Sequence, residues 1–338
     1  KPIEGMMSPQ INRLLELTGN FPMRKYICKK DFEGKEAEIR DIIGEERWNR
    51  EWADTLNGIS PMDDDTNYTV MALKILENYG ADFTPQNVLE AWVQWMPVMA
   101  SSTAERITYR NALLGFTASE TAEYHNPCRE WIGAQIRADF YGYINPGNPV
   151  KAAEMAWRDA SISHVKNGIY GAMMVSAMVS AAFVCDSVDM VVGAGLSVIP
   201  EHCRLRNDVN DVIRWHAQGI SHQETICHIH SRYHENESHG WCHTNSNAMV
   251  VVAALLYGMK DFGKTLCLSV GSAFDTDCNG ATVGSIVGAM NGTAGIPACW
   301  TNPFCDGLCT SITGFQEVSV DTLAEKTYSL CQSNKYCE

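Results

Sequence analysis

The stretch GISPMDDDTNYTVMALKILENYG, Gly58–Gly80, joins the two patterns on which the reading of the chain turns. Val70, Leu73, Leu76 and Tyr79 recur at the three-to-four-residue spacing that places apolar side chains on one face of a helix, and Gly80 stands where that helix should end. Directly in front of it are three consecutive acids, Asp63, Asp64 and Asp65. A helix N-terminus carries partial positive charge and unsatisfied N–H groups, so one or two carboxylates in its first turn are stabilising. A third adds repulsion that the helix end does not offset, and it points to a cation.

The helical period extends through the chain. Val88, Ala91, Trp92 and Trp95 mark a second stripe, and further helices are predicted over Val150–Ala160, Gly168–Cys185, Leu205–Gln218, Ser246–Met259 and Gly280–Met290. Strand-like alternation is scarce, so the expected fold class is all-α. NPGNP at Asn145–Pro149 and HENESHG at His234–Gly240 read as punctuation between helices. The uncharged run Gly168–Cys185 approaches the length of a membrane span, but its Gly, Ala and Ser content and polar flanks predict a buried core helix. Gly280, Gly284 and Gly288 stand four apart on one face. Glycine costs about 1 kcal/mol relative to alanine inside a helix, so this stripe predicts a central helix with a neighbouring backbone packed closely against it.

The 338 residues are 45% apolar, enough for one continuous core, and a single domain over 1–338 is expected. A formal net charge of -14 without a Lys/Arg cluster excludes a nucleic-acid binder, since phosphate neutralisation needs a basic face. Thirteen dispersed cysteines, an odd number without a CxxC pair, fit reduced thiols in a cytoplasmic protein. No membrane partner is expected. The chain starts at Lys1 rather than Met, so the extreme N-terminus is expected to be lacking.

A second acidic motif, GSAFDTDCNGATVGSIVGAM, places Asp275 and Asp277 at the entry of the glycine-faced helix, with Cys278 and Asn279 following. Taken singly, either motif reads as an acidic helix cap. Taken together, two carboxylate-bearing helix starts suit convergence on a hard divalent cation, which turns repulsion into coordination. The expectation is that Asp64, Asp65, Asp275 and Asp277 meet in one cleft. CHIHSRYHENESHGWCH, from Cys227 to His243, looks superficially like a zinc site. Its spacing fits no familiar finger, so it reads as a polar loop over the active-site mouth, with His243 a candidate for reaching substrate.

At these residues the chain resembles the ADP-ribosylglycohydrolase family, the all-α dinuclear-magnesium fold of the dinitrogenase-reductase-activating glycohydrolases. Asp63, Asp64, Asp65 and Thr66 resemble the family's first acidic motif, and Asp275, Thr276, Asp277 and Cys278 its second. SISHVKNGIYGAMMVSAMVSAAF resembles the substrate-side Ser/Thr-His segment and the helix after it. IPACW at Ile296–Trp300 resembles the segment after the last core helix, and KPIEG the end of an N-terminal loop whose glutamate is Glu4 here.

The resemblance implies a compact orthogonal helical bundle holding two Mg²⁺ ions, with Mn²⁺ as the substitute, on Asp63, Asp64, Asp65, Asp275, Asp277 and Cys278. It implies catalytic roles for Glu4, Asp64 and Asp277, with Glu4 or a metal-bound Asp positioning water and Asp277 a candidate bridge between the ions. Substrate contacts fall to His164, Asn167, Asn279 and His243. The implied activity is hydrolysis at the anomeric carbon of a ribose, the substrate being an ADP-ribosylated protein side chain or an ADP-ribosylated small molecule. A hydrolase of a small-molecule riboside or related furanoside, or a non-catalytic ligand-binding member, are the alternatives. Two positions depart from the pattern: Asp63 stands where the family has Thr or Ser, and Cys278 where a hydroxyl reaches the metal. A thiol is soft where Mg²⁺ is hard.

Overall fold

The helix read from the Val70–Tyr79 stripe is Asp64–Tyr79, and it starts and stops for local reasons. Asp63 is the extended residue before it, its carboxylate accepting from the Asp64 N–H at 2.8 Å. At the other end Gly80 takes φ +72°, the left-handed region that favours glycine, and its N–H returns to the Leu76 carbonyl. Val70, Leu73, Ile75 and Leu76 are buried. The computed structural model describes residues 1–334. Among them eighteen α-helices stand against three strands of two or three residues each, Ile59–Ser60, Gly307–Cys309 and Glu317–Ser319, so the fold is all-α.

The chain divides into two compact units. The first comprises Lys1–Ser60, Val209–Cys242 and Ser246–Cys305, and the second Pro61–Asp208, His243–Asn245 and the chain from Asp306 onward.

In the second unit the apolar run is a buried helix, Asn167–Ala182, packed against Pro149–Ala160, Asp139–Tyr143 and Val188–Ser197. Small residues permit this approach: a Cβ on Gly142 would lie 2.5 Å from Val179 Cβ and 2.7 Å from the Ser176 carbonyl oxygen. No helix among the described residues is long and apolar enough to cross a membrane. Gly307–Cys309 and Glu317–Ser319 pair antiparallel, Leu308 opposite Val318.

In the first unit Phe32 packs edge-on to Trp52 at 4.7 Å within a core that includes Ile3, Met6, Leu14, Ile39 and Ala273. Ile3 and Met6 tie the N-terminal segment to this core, so Glu4 lies on anchored backbone. The Glu4 carbonyl is held from outside by Arg47, whose Nη2 donates at 2.9 Å.

Two expectations need correction. The glycine stripe lies on the helix Thr276–Asn291, but among the described residues no neighbouring backbone atom comes within 4 Å of a Cβ placed on any of the three. Gly280 faces the Val270 side chain at 3.0 Å, Gly288 meets Ile296 and Phe262 side chains, and Gly284 has nothing within 4 Å. The neighbouring helix Phe262–Val270 supplies bulky side chains there, which fill the space that the glycines leave. Nor is the Cys- and His-rich segment a loop throughout. Cys227, His228 and His230 lie inside the helix His222–Arg232, started by a reciprocal cap in which Ser221 and Glu224 exchange hydrogen bonds.

Gly142→Ala should destabilise the protein by about 1–3 kcal/mol, because the added methyl meets fixed backbone and a buried Val179. Gly284→Ala, with open space around it, should instead stabilise by about 0.5–1 kcal/mol. Denaturant unfolding of the two variants checks the contrast; equal effects would show that the packing is misassigned.

Candidate metal centre

The second acidic motif forms a cluster within the first unit. Glu4, Asp275 and Asp277 each bring a carboxylate oxygen within 4.8 Å of the others. Two like charges that close repel by roughly 3–4 kcal/mol at an effective dielectric constant of about 20. Burial, reinforced by the charge of Asp277, pushes the Asp275 carboxyl well above the usual range. Lys1 supplies partial compensation, its Nζ lying 2.7 Å from Asp277 Oδ2 and 3.3 Å from Glu4 Oε2. Even so, Asp275 Oδ1, Asp277 Oδ1 and Thr276 Oγ1 are buried with no hydrogen-bond partner among the described residues. Orphaned hard oxygens in a cluster that already draws a cation fit a divalent ion.

The turn that presents these carboxylates is strained. Ala273 and Phe274 both take left-handed conformations, φ +63° and +57°, costing of order 1–3 kcal/mol each for residues that carry a Cβ. The strain persists because Ala273 is fully buried in the core described above and because the far side of the turn is clamped. Asn247 Oδ1 accepts from the Asp275 N–H at 3.2 Å and from Asn279 Nδ2 at 2.7 Å, while its own Nδ2 donates to the Trp241 carbonyl at 2.9 Å. Asn279 is thus oriented by Asn247. The Cys278 thiol is buried and hydrogen-bonds to the Asp275 carboxylate, which favours that carboxylate's charged form.

The first acidic motif lies in the second unit. Asp63, Asp64 and Asp65 bring carboxylate oxygens within 4.8 Å of one another at the start of Asp64–Tyr79; Asp65 is buried and the other two are half-buried. Thr66 donates its hydroxyl to the Asp63 carbonyl at 3.1 Å, which fixes the turn.

His164 occupies a different environment from either cluster. It is 1% exposed, inside an ionic network centred on Arg137. Arg137 donates to Glu105 at 2.8 Å, to Asp159, and to Ser163 Oγ at 2.8 Å, and Ser163 Oγ lies 2.7 Å from His164 Nδ1. Tyr141 donates to Asp159 at 2.9 Å. Burial disfavours the guanidinium's charge, but Asp159 and Glu105 outweigh it and raise the Arg137 pKa. Burial, with Arg137 second, holds the His164 imidazole well below its ordinary value, so it is neutral.

The remaining candidates are engaged locally. Asn167 donates to Glu130 at 2.7 Å and accepts from the Leu205 N–H, while Glu130 also pairs with Arg204 at 2.8 Å. His243 is buried, pairs through its backbone with Trp131, and accepts from the Asn245 N–H at its Nδ1. Among the Cys- and His-rich residues, His228 packs on Trp215 and His230 stacks on Phe274. Asn247, Arg137, Glu105 and Asp159 escaped the reading of the sequence. The polar run Thr244–Asn247 in front of an apolar helix marked Asn247, and an arginine between Ile136 and Ala138 marked Arg137.

The sequence model of the ADP-ribosylglycohydrolase family matches residues 2–336. No curated protein sequence matches the chain. A solved structure described as an ADP-ribosylglycohydrolase-related protein complex aligns over 96% of this chain and 97% of its own at a TM-score of 0.54 and 16% identity, a likeness of fold alone.

Arg137→Met should cost about 3–5 kcal/mol of stability in denaturant unfolding, since it leaves two buried acids without their cation. For His164 the folded pKa is depressed, so below about pH 6.5 the unfolded chain binds the proton and the folded chain resists it. Its contribution to stability is complete above that pH and falls as pH drops below it. Subtracting the stability–pH profile of His164→Gln from that of the unmodified protein should show this loss on the acid side; a flat difference would mean the imidazole charges in the folded state.

Proposed function

The chain belongs to the ADP-ribosylglycohydrolase family and is a hydrolase of the glycosidase class, and from that premise we propose that it is Mg²⁺-dependent and removes ADP-ribose from a modified protein side chain or small molecule. The observation that carries this reading is the pair of three-carboxylate groups, Glu4/Asp275/Asp277 and Asp63/Asp64/Asp65, each at or beside a helix start and each at a family motif. In this reading residues 1–338 act as one catalytic domain, and Asp63, Asp64, Asp65, Asp275 and Asp277 together hold two Mg²⁺ ions, with Mn²⁺ as the substitute. Twelve free cysteines among the described residues support a reducing, cytoplasmic setting.

When bound, the ions supply Lewis acidity and charge compensation at the anomeric carbon. The protein's part is to orient and to move protons. A carboxylate, Glu4 or Asp64, takes a proton from the attacking water as its oxygen bonds to the anomeric carbon; the glycosidic bond breaks, and the carboxyl gives up that proton so that the leaving group departs protonated. Asp277 would be among the residues that hold the ions and would offset their mutual repulsion. Asn279, fixed by Asn247, is assigned to substrate together with Asn167, His164 and His243.

The thiol of Cys278 supports a second reading, a ligand-binding member without turnover. It stands where a hydroxyl would serve Mg²⁺, and it is spent on Asp275.

Asp277→Asn should lower turnover by about 10³-fold, equivalent to roughly 4 kcal/mol of transition-state stabilisation, and should release at least one ion. Cys278→Thr should tighten the weaker ion. Both are read by metal stoichiometry and by release of ADP-ribose from ADP-ribosyl-arginine, ADP-ribosyl-serine and simple ribosides with added Mg²⁺. Wild-type turnover and stoichiometry in Asp277→Asn would rule out the mechanism. Turnover of ribosides alone would move the substrate to a small molecule, and binding without turnover would favour the second reading.

A further inference from the structure

The strained turn Ala273–Phe274 has a support that the proposed chemistry does not use. His230, on the helix His222–Arg232, stacks its ring on Phe274 with centroids 4.5 Å apart and planes 30° apart. Its Nε2 lies 3.0 Å from the Ser272 carbonyl oxygen. A carbonyl only accepts, so Nε2 carries the proton and donates it. The other ring nitrogen, Nδ1, lies 3.7 Å from Glu235 Oε2, beyond hydrogen-bond reach and attractive only when the ring carries both protons. Glu235 is itself fixed, accepting from the Ser8 N–H at 2.9 Å and the Ser8 hydroxyl at 2.7 Å. Ser8 opens the helix Ser8–Leu17, which is packed into the same core as Ala273.

His230 thus reaches, from the helix His222–Arg232, both ends of the turn that stops immediately before Asp275. We propose that His230 is a positioning residue for the acidic cluster: through Ser272 and Phe274 it clamps the left-handed Ala273–Phe274 turn and so fixes where Asp275 and Asp277 present their carboxylates. The inference rests on the metal reading above. Left-handed residues with a Cβ relax when their surroundings loosen, and a relaxed turn moves both carboxylates at once. The hydrogen bond to Ser272 and the stack on Phe274 grip the turn from either side of Ala273. Asn247 grips its other end at the Asp275 N–H. Residues that orient metal ligands without touching the ion govern affinity by about 10- to 100-fold.

The test is Mn²⁺ binding by the full chain, measured by titration calorimetry without substrate, alongside thermal unfolding in chelator. His230→Ala should weaken Mn²⁺ by about 10-fold or more. His230→Phe, which keeps the stack, and His230→Gln, which keeps a donor, should each recover part of the loss. Glu235→Gln should weaken binding less than His230→Ala. Should His230→Ala fail to fold, the Phe and Gln variants carry the comparison. A folded His230 variant series with wild-type Mn²⁺ affinity throughout would overturn the positioning role and leave the metal reading standing. Unmodified protein that binds no Mn²⁺ would overturn both.

Discussion

Two carboxylates two residues apart, both withdrawn from water at the start of one helix, set the central constraint on this protein. Both ionised, Asp275 and Asp277 would repel each other; burial and Asp277 instead push Asp275 toward its protonated form, hydrogen-bonded to Asp277, and neither the helix end nor Lys1 satisfies all their oxygens. Their neighbourhood is organised around that cost. The turn before them holds two left-handed residues against their preference, Ala273 is locked in the core, and Asn247 ties the backbone and Asn279 together. A site with no function would be expected to relax such strain, since each left-handed residue costs of order 1–3 kcal/mol.

The second unit buries charge in the opposite manner. Arg137 faces Glu105 and Asp159, and Ser163 and Tyr141 fill the remaining hydrogen-bonding positions. One guanidinium and two acids, one of them pushed toward protonation by burial, make a nearly self-sufficient group in which little is left for an ion to do. The contrast separates two kinds of buried charge. A network that satisfies itself rigidifies a core, whereas a cluster that leaves hard oxygens orphaned is prepared for something that comes from solution. Asp275 and Asp277 belong to the second kind, while His164 touches the first through its Nδ1.

Cys278 shows how a single departure redistributes roles. A threonine there would offer a hard oxygen outward; the thiol, a weak donor, turns to the Asp275 carboxylate and lends it slight stabilisation. In the proposed site the carboxylates would then carry more of an ion's coordination, and Asp63 adds anionic charge to the first motif.

Much of the fold is legible in the order of the amino acids alone. The 3.6-residue period locates Asp64–Tyr79, Pro149–Ala160, Asn167–Ala182 and Thr276–Asn291 to within a few residues, because amphipathic or uniformly apolar spacing is a local property of the chain. The acidic motifs are legible too, since adjacent like charges are conspicuous wherever they occur. The helix His222–Arg232 is masked by its histidines, although Ser221 and Glu224 spell a capping pair. Period and motif, however, say nothing of what lies opposite. Whether the glycines of Thr276–Asn291 meet backbone or the side chains of Val270 and Phe262, whether an arginine in an apolar run finds Glu105 and Asp159, and whether His230 reaches Ser272 and Phe274 are all decided by residues distant in the chain. Hydrogen bonds and close packing depend on separations of a few tenths of an ångström between such residues, and only the tertiary structure sets those.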